Sequence, residues 1–118
     1  MESYNPVRII TTKKIPFEQI TNNHKKIEIR INTGIFESIK YNDYICFKYL
    51  YNLDIKRKVL MTKIYRSFRD CIIDNFKNLK LMNPLSNSIE DSLNIYIKPN
   101  GIYSLEKEKL GVIAIYFE

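Results

Sequence analysis

Asn23-His24-Lys25-Lys26-Ile27-Glu28-Ile29-Arg30 is the stretch that organises the rest of this chain. From Lys26 onward it alternates: Ile27, Ile29 and Ile31 fall on one face, and Lys26, Glu28 and Arg30 on the other. That period is the signature of a strand with one buried side. Glu28 and Arg30, two residues apart, project to the same side at about 7 Å along the backbone, close enough for opposite charges to pair. Lys25 stands just before the strand. An acceptor and two donors are thereby gathered at one end of one strand. Such a set suits a nucleobase edge with a phosphate beside it: carboxylate to exocyclic amine, Arg and Lys to carbonyl or phosphate oxygens. Spacing alone favours a plainer alternative, in which Lys26, Glu28 and Arg30 are the wet face of an amphipathic strand.

Working outward, Val7-Arg8-Ile9-Ile10 is the strand-like run of the N-terminal part, followed by the basic pair Lys13-Lys14. Pro16 suits the first turn of a helix, with Phe17 and Ile20 on its inner face. Thr21-Asn22-Asn23 keeps that helix short. Beyond the central stretch, residues 44–49 form a strand entered through the Asn42-Asp43 turn, where Asp43 bonds nearby backbone. Asn52-Leu53-Asp54 reads as a hairpin turn, and residues 55–64 as a long strand. That strand carries Lys56, Arg57 and Lys58, which alternate faces and so cannot all address one ligand; they read as a solvated hairpin edge.

Ser67 opens a helix with Asp70 in the capping-box position, and Phe68, Cys71, Ile72, Phe76 and Leu79 keep helical spacing. Asn83-Pro84 breaks it. Ser88-x-x-Asp91 opens a second helix with Ile89, Leu93 and Tyr96 inward, and Lys98-Pro99-Asn100-Gly101 is a turn. Residues 106–109 make a charged turn that feeds a last strand over residues 111–117. Strands, a helical insert and a closing strand add up to an α+β chain, a small mixed barrel with short helices packed at one end.

With 118 residues and a 45% apolar fraction, the chain has room for one domain, residues 1–118, and for its core. Heavy use of Ile, Asn, Lys and Tyr reflects an AT-rich coding bias, which weakens arguments from charge alone. The net charge of +6 favours polyanionic partners without marking a site. Cys46 and Cys71 lie in apolar settings with no ligand cluster around them, and His24 is the single histidine. Neither a disulfide framework nor a metal site is expected, and no cofactor. No apolar run has the length of a signal peptide core or a membrane span, so a soluble intracellular protein, cytoplasmic or nuclear, is expected and no membrane partner.

Four segments taken in order carry a resemblance: Lys25-x-x-Glu28-x-Arg30; Ile39-Lys40-Tyr41-Asn42-Asp43-Tyr44-Ile45-Cys46-Phe47; Tyr103-Ser104-Leu105-Glu106-Lys107-Glu108; and Gly111-Val112-Ile113-Ala114-Ile115. Together they resemble the ASCH domain family, whose pattern is G-x-K-x-x-E-x-R, I-K-x-G-D-x-I-x-F, Y-S-x-E-x-E and G-V-x-A-I. The likeness runs over residues 16–117. Asn23 and Asn42 stand where the family has glycine, and Asn is the residue type best able to take the left-handed backbone in its place. The resemblance implies a PUA-like β-barrel and an RNA-binding module. It implies a cleft between barrel and helices, lined by Lys25, Glu28, Arg30 and Tyr103, that takes a single-stranded or modified nucleotide. Tyr65, Ser67 and the basic hairpin are weaker candidates, and Ser67 reads first as a helix cap.

The resemblance also raises an enzymatic alternative, a small hydrolase acting as a ribonuclease or a modified-nucleoside amidohydrolase. Members that look like acetylcytidine amidohydrolases use the motif lysine, a threonine at the motif's glutamate position and a downstream glutamate. Here Lys25 persists, Glu28 takes the threonine position, and residues 75–89 contain no acidic residue. Ribonuclease-like members imply the set Lys25, Tyr103 and Ser104. A lysine base must first lose its proton, which a neighbouring carboxylate opposes. The residues therefore argue for binding over catalysis. A protein-interaction module with a vestigial cleft is a third reading, which a lone domain without a second module disfavours.

Overall fold

The structure, a computed structural model, describes residues 7–51, 53–82, 88–97 and 103–118. In chain order the elements are β1 (Val7–Thr11), α1 (Lys14–Thr21), β2 (Ile27–Ile31), a 3₁₀ turn (Gly34–Ser38), β3 (Tyr44–Leu50), β4 (Leu53–Tyr65), α2 (Phe68–Met82), α3 (Ile89–Tyr96), α4 (Leu105–Glu108) and β5 (Val112–Phe117). The helix starts follow from local chemistry. Ser67, Ser88 and Ser104 each accept a backbone N–H three residues on, from Asp70, Asp91 and Lys107, which satisfies one of the open donors of a first turn. The Asn83-Pro84 break, Asn52 of the hairpin turn and the 98–101 turn lie outside the described residues.

The five strands form one sheet in the order β1-β3-β4-β5-β2. β1 runs parallel to β3, and the other pairs are antiparallel. β4 is the reason the sheet curls. Its first half pairs with β3, from Leu53 to Lys58, and its second half with β5, from Val59 to Tyr65, with a register shift between Val59 and Met61. A strand handed from one neighbour to the other across an irregularity bends and coils. The result is a curled half-barrel with helices packed against it. The small barrel expected from sequence is thus open: β1 and β2 end the strand order without pairing to each other.

Each face of this sheet carries a core. On one side Ile10, Ile20, Ile45, Phe47, Val59 and Phe117 cluster with Ile113 and Ile115. On the other, Ile27, Ile29 and Ile31 meet Phe68, Cys71 and Ile72 of α2, with Val112 and Ala114. β5 is covered on both faces, which is why it reads as an almost unbroken apolar run. The three isoleucines of β2 are buried together as the alternation required, each worth roughly 1.5–3 kcal/mol of burial.

The basic run of β4 falls in the half that pairs with β3 alone, so it keeps the open flank of a hairpin edge, and Lys56 is exposed. Arg57 is the member with a structural use. The Arg57 guanidinium donates to the carbonyl of Ile20 at 3.3 Å, placing a cation at the C-terminus of α1 where open carbonyls favour it. Asp43 behaves as the sequence suggests, its carboxylate accepting the Lys40 N–H at 3.0 Å. Tyr65 is committed elsewhere. Its hydroxyl donates to Asp74 Oδ2 at 2.5 Å and accepts from Asn75 Nδ2 at 3.2 Å. The Tyr116 hydroxyl donates to Asn75 Oδ1 at 2.6 Å. Burial and the bond to Asp74 push the Tyr65 hydroxyl well above the usual phenol range. This network fastens α2 to β4 and β5.

Candidate functional site

The cleft begins with the end of α1. Asn23 takes the left-handed backbone, φ 65°, and the N–H groups of His24 and Lys25 both bond the carbonyl of Gln19 at 2.9 Å. This closure turns the chain sharply into β2 and carries Lys25 to the mouth of the cleft. Asn42 has φ 73°, so both asparagines standing for glycine meet the same backbone demand.

The β2–β5 register then sets where the charges go. Glu28 lies opposite Ile115 and Arg30 opposite Ile113, so both project on the face of the first core. Glu28 is only 5% exposed; it is not the wet face of a strand. Arg30 Nε donates to Glu28 Oε1 at 3.1 Å, and Lys25 Nζ stands 3.5 Å from Glu28 Oε2. Glu28 Oε2 is buried and has no hydrogen-bond donor. The Arg30 guanidinium also rests 5.5 Å from the centre of the Phe36 ring, a cation–π contact. Burial opposes the charge of Arg30, but Glu28 and Tyr103 outweigh it and raise its pKa above the ordinary guanidinium value.

Tyr103 arrives from the far side. Its N–H bonds the carbonyl of Tyr96 at 2.6 Å. Its ring stacks on Phe68 at 5.3 Å, and Tyr96 stacks on the same Phe68 at 5.1 Å. One face of the Tyr103 ring is thereby taken by Phe68. Burial pushes the Tyr96 hydroxyl well above the usual phenol range.

Lys25, Glu28, Arg30 and Tyr103, the four residues singled out from sequence, line one cleft of about 430 Å³. It lies at the open seam of the half-barrel, between Thr11 of β1 and Ile29 of β2. Ser104 is not among its lining residues; its hydroxyl accepts the Lys107 N–H at 3.3 Å as the cap of α4. The structure adds Thr12, Lys13, Pro16 and Tyr96 to the lining. Lys13 and Pro16 were visible only as a basic pair and a helix start, and Tyr96 only as a core position of α3. Among the described residues, no group of three or more His, Cys, Asp and Glu comes together to hold a metal ion. Nor is any described helix long and apolar enough to cross a membrane.

No protein-family model matches the chain, and no curated protein matches it either. Solved structures do. The crystal structure of hypothetical protein PH0355 is similar at 28% identity with a TM-score of 0.81, covering 96% of this chain and 98% of that one. The solution structure of protein PF0455 from Pyrococcus furiosus is similar at 30% identity with a TM-score of 0.72. With 96% of each chain covered at that identity, this protein belongs to the same family as PF0455 from Pyrococcus furiosus.

Proposed function

We propose that the cleft binds RNA or a nucleotide, with a base edge against Glu28 and phosphate oxygens on the surrounding cations, in an ASCH-like version of the PUA-like barrel. The observation that carries the reading is Glu28 Oε2, a buried carboxylate oxygen with no hydrogen bond among the described residues and the Lys25 ammonium 3.5 Å away as its ion-pair partner. A ligand N–H donor would supply the short bond that this oxygen lacks. A phosphate there would be repelled by the carboxylate, whereas an amine or ring N–H would donate to it. Lys25 and Arg30 exceed Glu28 in charge, and Lys13 adds to them, so the cleft as a whole still attracts a polyanion. An intracellular setting goes with this reading.

Binding of short single-stranded RNA tests it. With ~3 phosphate contacts the salt slope should be about −2. Arg30→Ala is expected to weaken binding by roughly 1–3 kcal/mol, the value of a charge-assisted hydrogen bond in a desolvated site. Lys56→Ala, an exposed residue on β4, should change it by less than about 0.5 kcal/mol. Equal losses from the two substitutions would point to diffuse electrostatics and remove the cleft from the argument.

The hydrolase alternative is weakened by what the side chains are doing. The Ser104 hydroxyl caps α4, and Glu28 Oε1 is held by Arg30. Lys25 Nζ is engaged in an ion pair with the Glu28 carboxylate at 3.5 Å. Acetylcytidine incubated with the protein should therefore remain intact by chromatography. Turnover on the order of 1 s⁻¹, abolished by Lys25→Ala, would make the hydrolase reading lead.

A further inference from the structure

The cleft does not end at Lys25. A second cavity of about 340 Å³ adjoins it, and Pro16, Lys25, Ile95 and Tyr96 line both. The two lobes differ in chemistry. The first holds Glu28, Arg30 and Tyr103. The second lies between α1 and α3 and is walled by Ile15, Pro16, Leu79 and Ile95; Lys25 is the charged side chain among its described lining residues. A nucleobase has flat apolar faces, which such walls suit. A phosphate in the second lobe would find no cation except Lys25, at the lobe's boundary with the first.

Resting on the nucleotide-binding reading above, we propose that the two lobes hold two successive nucleotides of a single strand, one base in each, with Lys25 on the phosphodiester that links them. Lys25 is placed for this. Its side chain is 14% exposed and Glu28 engages it from one side only, at 3.5 Å. Lys25 and Arg30 together outweigh that one carboxylate, leaving a surplus positive charge where the linking phosphate passes. The ligand is thus a stretch of single-stranded RNA, not a free nucleoside.

Titrating the full chain by NMR with the four nucleoside 5′-monophosphates and the matching dinucleoside monophosphates decides this. A dinucleoside monophosphate carries less negative charge than a mononucleotide, so simple charge attraction predicts the weaker binding. The two-lobe reading predicts tighter binding by at least about tenfold, because the second base binds as a tethered group. Ile15→Glu changes a residue that lines only the second lobe and is 66% exposed. It should erase the tenfold advantage, and Ile15→Ala should lessen the advantage without adding charge. A dinucleotide that binds no tighter than a mononucleotide, or an advantage that survives Ile15→Glu, overturns the second lobe alone. Absence of binding by either ligand overturns the nucleotide reading itself.

Discussion

Glu28→Ala is expected to lower stability by about 3 kcal/mol in urea unfolding, at the low end of the cost of removing one partner from a buried charge cluster. The reason lies in what would be left behind. The Glu28 side chain is 7% exposed, and its carboxylate faces Arg30 at 3.1 Å and Lys25 at 3.5 Å. Without it, two cations would crowd a partly buried mouth with no anion between them. Their own side-chain exposures, 27% and 14%, let water relieve part of the cost, which is why the low end applies. Glu28→Gln separates shape from charge. The amide oxygen can still accept from Arg30 Nε, so its loss should be smaller, about 1–2 kcal/mol. If Glu28→Ala costs less than about 1 kcal/mol, the carboxylate is not the hub of the cleft.

Such a buried hub was only half legible in the sequence. The alternation of β2 made the burial of Ile27, Ile29 and Ile31 a near necessity, and it placed Glu28 and Arg30 together on the other face. It also made that other face look solvated, because strand period distinguishes two faces without saying whether both are covered. What covers Glu28 is non-local: the register that sets it against Ile115, and the arrival of α1 and α3 across the seam. The same limit applies to Arg57 in the basic run of β4. Alternation separates its face from that of Lys56 and Lys58, but its partner, the Ile20 carbonyl at the end of α1, is a non-local contact that strand period does not announce.

Local backbone chemistry was read more completely. Asn23 and Asn42 both adopt positive φ, and the serine helix starts at Ser67 and Ser88 each bond the amide three residues on. These depend on one residue and its near neighbours, so sequence suffices. Ser104 entered only through the resemblance, as a candidate partner in chemistry; the structure shows its hydroxyl as the cap of α4. The openness of the sheet was not legible at all. Whether β1 and β2 pair depends on how far β4 coils, and that follows from a register shift between Val59 and Met61 that no local motif announces.

Phe68→Ala is expected to have the largest effect, about 4 kcal/mol of stability, within the range for emptying an aromatic core position. Phe68 is fully buried at the start of α2 and stacks on both Tyr96 and Tyr103. Its N–H is also held by Glu108 Oε2 at 3.0 Å, so the backbone is pinned and the site can collapse only partly. Against a typical total of roughly 5–15 kcal/mol, the alanine variant should be largely unfolded at a few molar urea. Phe68→Leu is the informative companion. It keeps most of the volume, so the stability loss should stay near 1–1.5 kcal/mol, while both aromatic stacks disappear. Tyr103 would then keep its backbone bond to Tyr96 but lose what orients its ring. RNA binding by the folded leucine variant should weaken by about 1 kcal/mol, the worth of an aromatic pair beyond its area. Unchanged binding would mean that Tyr103 is positioned by its backbone and by Arg30, and that Phe68 serves the core without serving the cleft.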